Sequence, residues 1–506
     1  MSDLGLFHNL ILGFSVALTP MNLLYCLVGC LLGTLIGVLP GIGPLATVAL
    51  LLPVTFSLGP TSALIMLAGI YYGAQYGGST TSILVNLPGE SSSVVTCLDG
   101  YQMARQGRAG PALAIAAIGS FFAGTVGTLM IALFGPPLAS VALKFGAAEN
   151  FSLMVLGLVM AVVMARGSVL RAVCMVLLGI LFGTVGTDVN SGQYRFTLGI
   201  PELADGISIV AVALGLFGIA EIITNLELKE KREIFTNKVK GLIPTKEDMK
   251  RSWAPIIRGT VIGAALGLMP GTHAIISSFA SYTLEKKLSK YPEKFGTGMI
   301  EGVAAPESAN NAAAQTYFIP MLTLGIPTGA MMALMLGALM LQGIVPGPQV
   351  MTQKPDLFWG LVASMWIGNL MLVVLNLPLI GVWIKLLTLP YRFMFPAILM
   401  FCCVGCYSLN NAPVDVYMAG FFGLLGYGLA KLDCEPAPLL LGFVLGPMME
   451  ENLRRALLLS LGDPSTLVTR PISATFLGLS VIFLALVTIS TIRGPKQRLA
   501  EHLKSD

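Results

Sequence analysis

Residues 4–89 contain no Asp, Glu, Lys or Arg, a charge-free run of 86 positions. A bilayer span takes about 20 apolar residues. The run therefore holds three crossings, or two crossings and a re-entrant segment. Further uncharged runs at 308–353, 357–384, 393–414 and 471–492 each reach span length. Apolar stretches at 112–135, 150–165, 168–186 and 207–223 add candidates in the first half. Charged residues make up 11% of the 506, against about 25% in a soluble chain. That excludes an ordinary cytosolic enzyme. The expected fold is an all-α polytopic membrane protein of about 10 to 14 transmembrane segments.

The net charge is only +4, and no basic stripe exists that could follow a phosphate backbone, so nucleic acid is not an expected partner. The first Lys or Arg is Arg105, so the start of the chain lacks the positive region of a cleaved secretory signal. Eight Cys fall mostly in apolar stretches and read as small packing residues. Cys403 and Cys406 have the spacing of a redox pair but lack its βαβ context.

One hydrophilic interruption, 227–251, carries eight basic and five acidic residues. It divides the chain into a first membrane repeat (1–226), a charged cytoplasmic connection (227–251) and a second repeat (252–506) with a possible extra C-terminal helix. The Lys/Arg bias places both this connection and the tail with Arg493, Lys496, Arg498 and Lys504 in the cytoplasm. The second half then crosses an even number of times, which a simple inverted repeat does not allow unless one half carries an added helix.

The repeat itself is visible at an offset of 230: Gly29, Gly33, Gly37, Pro40 and Gly41 match Gly259, Gly263, Gly267, Pro270 and Gly271. Glycines four apart make a smooth helix face for close packing. The Pro-Gly endings predict helix breaks at membrane depth, because proline removes a donor and glycine admits strained dihedrals. Such backbone is tolerated in a bilayer only where it is buried in protein or lines a wet cavity. Matching breaks in two halves therefore point to a substrate site built from discontinuous helices or re-entrant hairpins.

At an offset of 229, Gly73 pairs with Gly302 and Ser79 with Ser308, setting Ser79, Thr80, Thr81 and Ser82 opposite Ser308, Ala309, Asn310 and Asn311. Leu87-Pro88-Gly89 and Ile326-Pro327-Thr328-Gly329 follow, the second delayed by an insertion. The first break region offers Gly43, hydroxyls and one amide, Asn86, without charge. The second adds Thr272, His273, Glu301, Glu307, Asn310 and Asn311. Half-helix N-termini would hold an anion there without a buried Arg, and exposed carbonyls would suit Na⁺. Packing or capping roles compete at each position: back-bonded hydroxyls, interhelical amide contacts, water-facing Glu301 and Glu307, a hydrogen-bonded His273. No phosphate loop, His-Glu-x-x-His or Gly-x-Ser-x-Gly motif is present, which argues against an enzyme. No resident metal or cofactor is expected, with Na⁺ or H⁺ as coupling ion.

The segments YYGAQYGGSTTSILVNLPGESSSVVTCLDGYQMARQGRAGPAL (71–113), EKKLSKYPEKFGTGMIEGVAAPESANNAAAQTYFIPMLTLGIPTG (285–329) and PAPLLLGFVLGPMMEENLRRALLLSLGD (436–463) resemble the large membrane subunit of the tripartite tricarboxylate transporter family. With the two Pro-Gly breaks, the resemblance runs from about residue 12 to about residue 465. It implies a multi-pass secondary transporter of the bacterial inner membrane that imports a tricarboxylate-like carboxylate on a Na⁺ or H⁺ gradient. The implied partners are a small four-helix membrane subunit, a periplasmic solute-binding protein and membrane lipid. The implied site positions are Pro40-Gly41, Pro270-Gly271, Ser79 to Ser82, Pro88-Gly89, Glu307, Asn310, Asn311, Pro327 and Gly329. The alternatives are a carboxylate carrier that needs no binding protein and a polytopic membrane enzyme acting on lipid.

Overall fold

In the first third of the chain, proline opens one helix after another. Pro20, Pro44 and Pro60 each sit at the first helical turn, where the missing N–H costs nothing and the fixed φ is already helical. After α1 (Leu4–Ala17) come α2 (Pro20–Gly37), α3 (Pro44–Thr55) and α4 (Pro60–Val85). Then follow α5 (Ala109–Ala142), α6 (Ala147–Met164), α7 (Val169–Gly183), a two-stranded hairpin of β1 (Gly186–Thr187) and β2 (Tyr194–Arg195), and α8 (Ile209–Glu227). The second half holds α9 (Lys246–Gly267), α10 (Ala274–Leu288), α11 (Glu301–Thr316), α12 (Phe318–Leu324) and α13 (Ala330–Leu341). It continues with α14 (Pro355–Asn376), α15 (Ile380–Leu387), α16 (Tyr391–Asn410), α17 (Pro413–Lys431), α18 (Ala437–Leu459) and α19 (Pro471–His502). This computed structural model describes residues 4–39, 42–165, 167–227, 241–269, 274–387 and 391–502.

The fold is an all-α polytopic membrane protein. Among the described residues, seven helices are long and apolar enough to cross a bilayer, and shorter apolar helices such as α3, α7 and α13 accompany them. Interruption accounts for much of the short class: α2 stops at Gly37 and α3 starts at Pro44, while α9 stops at Gly267 and α10 starts at Ala274. The two interruptions keep the 230-residue offset read from the glycine ladders. Pro40, Gly41, Pro270, Gly271, Thr272 and His273 lie outside the described residues.

Close approach explains the ladders. A Cβ on Gly33 would stand 2.2 Å from the Ile70 carbonyl oxygen, and one on Gly263 would stand 2.1 Å from that of Ala309. Along each ladder the partner numbers rise together, Gly29 with Met66 and Gly33 with Ile70, Gly259 with Ala305 and Gly263 with Ala309. Thus α2 runs parallel to α4, and α9 runs parallel to α11. The two long helices run antiparallel to each other, since Tyr72 Oη donates to Gln315 Oε1 (2.8 Å) while Ser79 Oγ donates to Glu307 Oε2 (2.7 Å). The halves are therefore inverted. Helices also cross between them: α5 packs on α11 and α14 packs on α4. Tyr76 Oη reaches Asn369 Oδ1 of α14 at 3.1 Å, and Thr128 Oγ1 of α5 reaches Gln315 Oε1 at 3.3 Å.

This geometry corrects the sequence register. Met66 is to Gly29 what Ala305 is to Gly259, so α4 matches α11 and α12 at an offset of 239, not 229. Asn86 and Gly325, both with positive φ at the ends of α4 and α12, obey the same offset, as do Pro88 and Pro327. The extra residues precede α11, in the segment whose Gly296, Gly298 and Met299 N–H groups all donate to Asp99 Oδ1 at 2.7–2.9 Å. No insertion delays Pro327, and Ser79 to Ser82 do not stand opposite Ser308 to Asn311.

Ion pairs mark the two faces. Arg108–Asp248 (2.5 Å) and Arg251–Glu301 (2.8 Å) lie on one. Thus α9 starts within the charged stretch, and Glu301 is held in a pair. On the other face Arg470 pairs with Glu149 (2.8 Å) at the start of α19. Only 11% of the apolar window of α19 is buried, and the helix packs mainly on α6. Across the halves α7 packs on α18 as α17 packs on α8, but α19 has no such reciprocal. All eight cysteines are free.

On that second face the β1–β2 hairpin is clamped to α18. Arg195 bridges Asp188 (2.8 Å) and Glu450 (2.9 Å), and Arg454 reaches Asp188 at 3.2 Å. Donation from the Ser191 hydroxyl, helped by Arg195, the Asn190 N–H and Arg454, holds the Asp188 carboxyl well below the usual carboxylate range despite the opposing cost of burial. A lowered folded value means the stabilisation is complete above the ordinary carboxylate pKa of about 4 and is lost as pH falls through the folded value. Melting temperature in detergent should therefore fall less steeply below pH 4 for Asp188→Asn than for the wild type, with the variant less stable at pH 7. Parallel acid profiles would contradict the clamp.

Candidate functional site

The two interruptions and the two Pro-containing turns meet in one cavity of about 420 Å³. The start of α3 contributes Gly43, Pro44 and Leu45, and the start of α10 contributes Ala274. The turn after α4 supplies Pro88, Gly89 and Glu90, and its counterpart after α12 supplies Thr328 and Gly329. Tyr71 and Gln75 of α4, Glu221 of α8, Tyr317, and Ala437 at the start of α18 complete the parts that matter here. Gly89 must be glycine for this shape: a Cβ there would lie 2.2 Å from Gly78 Cα, because the chain folds back onto α4.

Four helix N-termini, those of α3, α10, α13 and α18, thus reach one cavity. The caps of α3 and α13 are Gly43 and Gly329, which offer no side-chain acceptor, so their first N–H groups keep no intrahelical partner. Each terminus carries roughly half a positive charge. No Lys or Arg stands among the described lining residues, whereas Glu90, Glu221 and Glu435 do. Among the described residues, Gln75 Oε1 and Thr328 Oγ1 are buried without a hydrogen-bond partner. So is Asn310 Oδ1, whose amide nitrogen donates to Glu90 Oε1 at 2.8 Å. An unmet buried polar atom costs about 1–3 kcal/mol. Several such atoms stand around this one cavity, so its wall has unused capacity to hydrogen-bond a polar ligand.

A second polar group lies beside it. Glu307 is 1% exposed. Its carboxylate accepts from Ser79 Oγ at 2.7 Å and from Thr96 Oγ1. Asn311 Nδ2 donates to Ser120 Oγ of α5 at 2.7 Å.

The structure distributes the sequence-derived candidates over both groups. Gly43, Pro88, Gly89 and Gly329 line the large cavity, and Asn310 is one hydrogen bond from its wall. Ser79, Thr80 and Glu307 line a smaller one. Thr81 Oγ1 donates to the Val38 carbonyl (2.7 Å), securing the end of α2, and Ser82 Oγ donates to Ser93 Oγ (2.8 Å). Asn86 is exposed and ends α4 in the left-handed region, and Pro327 is buried behind the wall. Gln75, Glu90, Glu221 and Thr328 were not among the candidates. Glu90 ends the 86-residue uncharged run and Glu221 interrupts an apolar span, and an ionisable residue at membrane depth is itself a functional signal.

Residues 23–441 match the model of the Tripartite tricarboxylate transporter TctA family. The chain belongs to this family. An "Uncharacterized 52.8 kDa protein in TAR-I ttuC' 3'region" of Agrobacterium vitis is 59% identical over 496 residues, covering 98% of this chain and 99% of the relative. An "Uncharacterized protein in TAR-II ttuC' 3'region" of the same organism is 60% identical over 237 residues, 47% of this chain and 98% of the relative. No solved structure matches. Membership in the TctA family makes the chain a multi-pass protein of a transporter family, and the inverted breaks are its own structural counterpart to that assignment.

Proposed function

We propose that the chain is the substrate-translocating subunit of a secondary importer for a small carboxylate, tricarboxylate-like in kind, in the bacterial inner membrane. The observation that carries this reading is the cavity in which helix N-termini from both inverted halves meet buried polar atoms without partners. The N-termini receive carboxylate groups, and Gln75 and Thr328 supply neutral polar contacts. With Glu90 and Glu221 in the same wall and no Lys or Arg among the described lining residues, an anion is tolerated only when cations or protons offset those carboxylates. Coupling to a Na⁺ or H⁺ gradient follows from that requirement.

The basic connections bearing Arg105, Arg108, Lys250, Arg251, Lys286 and Lys287 lie on the Arg108–Asp248 face, which the positive-inside rule places in the cytoplasm. The opposite face, with its Asp188–Arg195–Glu450 clamp, then receives a periplasmic solute-binding protein. A small four-helix membrane subunit packs on the lipid-facing surface. Alternating access moves the unit carrying α2–α4 and α9–α13 against a scaffold that holds this partner.

Uptake of mono-, di- and tricarboxylates into vesicles containing all three components, under separate Na⁺ and proton gradients, tests the reading. Gradient-driven tricarboxylate uptake that requires the binding protein is expected. Undiminished uptake without it would favour the binding-protein-independent carrier, and lipid turnover without solute uptake would favour the membrane enzyme. Thr328→Val removes one hydroxyl at constant volume and should weaken apparent substrate affinity about 5-fold, a hydrogen bond being worth about 1 kcal/mol. An unchanged KM would remove Thr328 from the substrate's contacts.

A further inference from the structure

Beside the substrate cavity lies a separate pocket of about 20 Å³, room for one water-sized particle. Its wall takes Tyr76, Ser79 and Thr80 from α4, Ser120 from α5, Glu307 from α11 and Asn376 from α14, so both inverted halves contribute. The polar side chains lining this pocket are a carboxylate, an amide and four hydroxyls, so oxygen is its main polar element. Ser79 Oγ donates to Glu307, Thr80 Oγ1 to the Tyr76 carbonyl (3.1 Å), and Tyr76 Oη to Asn369 Oδ1 (3.1 Å). Each hydroxyl oxygen keeps its lone pairs. Ser120 Oγ accepts from Asn311 Nδ2.

Two features of this pocket lack a structural explanation. Asn376 is 5% exposed and donates through Nδ2 to the Leu372 carbonyl (2.8 Å), but among the described residues its Oδ1 has no partner. Glu307 is equally enclosed, and among the described residues it enters no ion pair with a Lys, Arg or His. Two hydroxyl donors stabilise a carboxylate but leave its charge uncompensated, and an isolated buried charge is expensive. One small hard cation answers both, since such ions take carboxylate, amide and hydroxyl oxygens together.

We propose that the pocket formed by Glu307, Asn376, Ser79, Thr80 and Ser120 binds the coupling cation, Na⁺, at a site distinct from the substrate cavity. This rests on the transport reading above. A proton would neutralise Glu307 but leave Asn376 Oδ1 and the hydroxyl oxygens unused. Substrate and ion are linked through α11, where Asn310 faces Glu90 of the substrate cavity three residues from Glu307. Leu242, Leu377 and Ile380 close the pocket. The last of these opens α15, whose Trp383 is 2% exposed, so ion release requires this apolar cover to move.

Thermal unfolding of the purified full chain at pH 7.5, with NaCl replaced by choline chloride or KCl at constant ionic strength, tests the site. Binding to the folded state alone raises the melting temperature. We expect a saturable rise with Na⁺ and not with choline or K⁺. Glu307→Gln, nearly isosteric, should abolish the response, and Ser120→Ala and Asn376→Leu should each move its midpoint about 10-fold upward. Gln75→Leu, in the other cavity, should lose uptake but keep the response. A response unchanged in both Glu307→Gln and Asn376→Leu would overturn the proposal. So would a wild type that is indifferent to Na⁺ while importing carboxylate on a proton gradient. A normal Na⁺ response with no carboxylate uptake under any gradient would support the ion site and overturn the transport reading.

Discussion

Asn310→Leu should reduce carboxylate uptake by about 10- to 150-fold, the equivalent of losing one hydrogen bond to a charged acceptor, worth about 1.5–3 kcal/mol. The bond lost is the 2.8 Å donation from Asn310 Nδ2 to Glu90 Oε1. It ties the second half's long helix to the turn that follows the first half's long helix. Removing it leaves a carboxylate on the cavity wall without one of its donors and removes the orphan Oδ1 that a substrate would meet. Adding Asn311→Leu also cuts the tie to Ser120 on α5, and the double variant should transport nothing measurable. Leucine is apolar and of similar size, so insertion and expression should persist. Wild-type uptake by the double variant would remove both amides from the mechanism.

Gly263→Val has the larger effect on the fold. The first carbon of the new side chain would lie 2.1 Å from the Ala309 carbonyl oxygen and 2.7 Å from Ala309 Cα. Both are backbone atoms, so no rotamer change can make room and α9 must move away from α11. Overpacking of this kind costs about 1–3 kcal/mol where neighbours can yield. Here we expect about 3 kcal/mol or more, read as a melting temperature lowered by several degrees and as loss of uptake. Because α11 carries Glu307 and Asn310, the same shift misplaces both polar groups. Gly5, where an added Cβ would meet nothing within 4 Å, supplies the control: Gly5→Ala should leave stability and uptake unchanged. Equal stability of Gly263→Val and wild type would mean that the ladders do not set the helix spacing.

The features legible in the sequence were those enforced by close backbone contact. Gly33 and Gly263 must lack a Cβ, so the repeat survives as letters, and the ends of α2 and α9 fall where the ladders stop. The register of the second pair of elements was not legible in the same way. Matching Ser79 to Ser308 by residue type ignored helix phase, which only the contacts of Met66 with Gly29 and Ala305 with Gly259 reveal. The extra residues before α11 put Ser79 and Ser308 out of register, while the Pro88 and Pro327 turns were paired correctly but their delay was assigned to an insertion after α11 instead of before it. Of the site, the glycines and prolines that turn the chain were visible as breaks. Thr328 and Gln75 were not, because a hydroxyl or amide on an apolar helix usually serves a neighbouring carbonyl, and only the folded structure shows theirs unpaired. Glu90 and Glu221 carried a readable signal as charges bordering or interrupting apolar runs.

The most direct test of the account is a cryo-electron microscopy map of the protein in a lipid disc with a tricarboxylate bound. The account predicts that α2 ends at Gly37 before α3 starts at Pro44, and that α9 ends at Gly267 before α10 starts at Ala274. It also places the ligand's carboxylates at the N-termini of α3 and α13, within hydrogen-bond distance of Gln75 or Thr328. Continuous helices through both intervals, or ligand density outside the cavity between them, would contradict it.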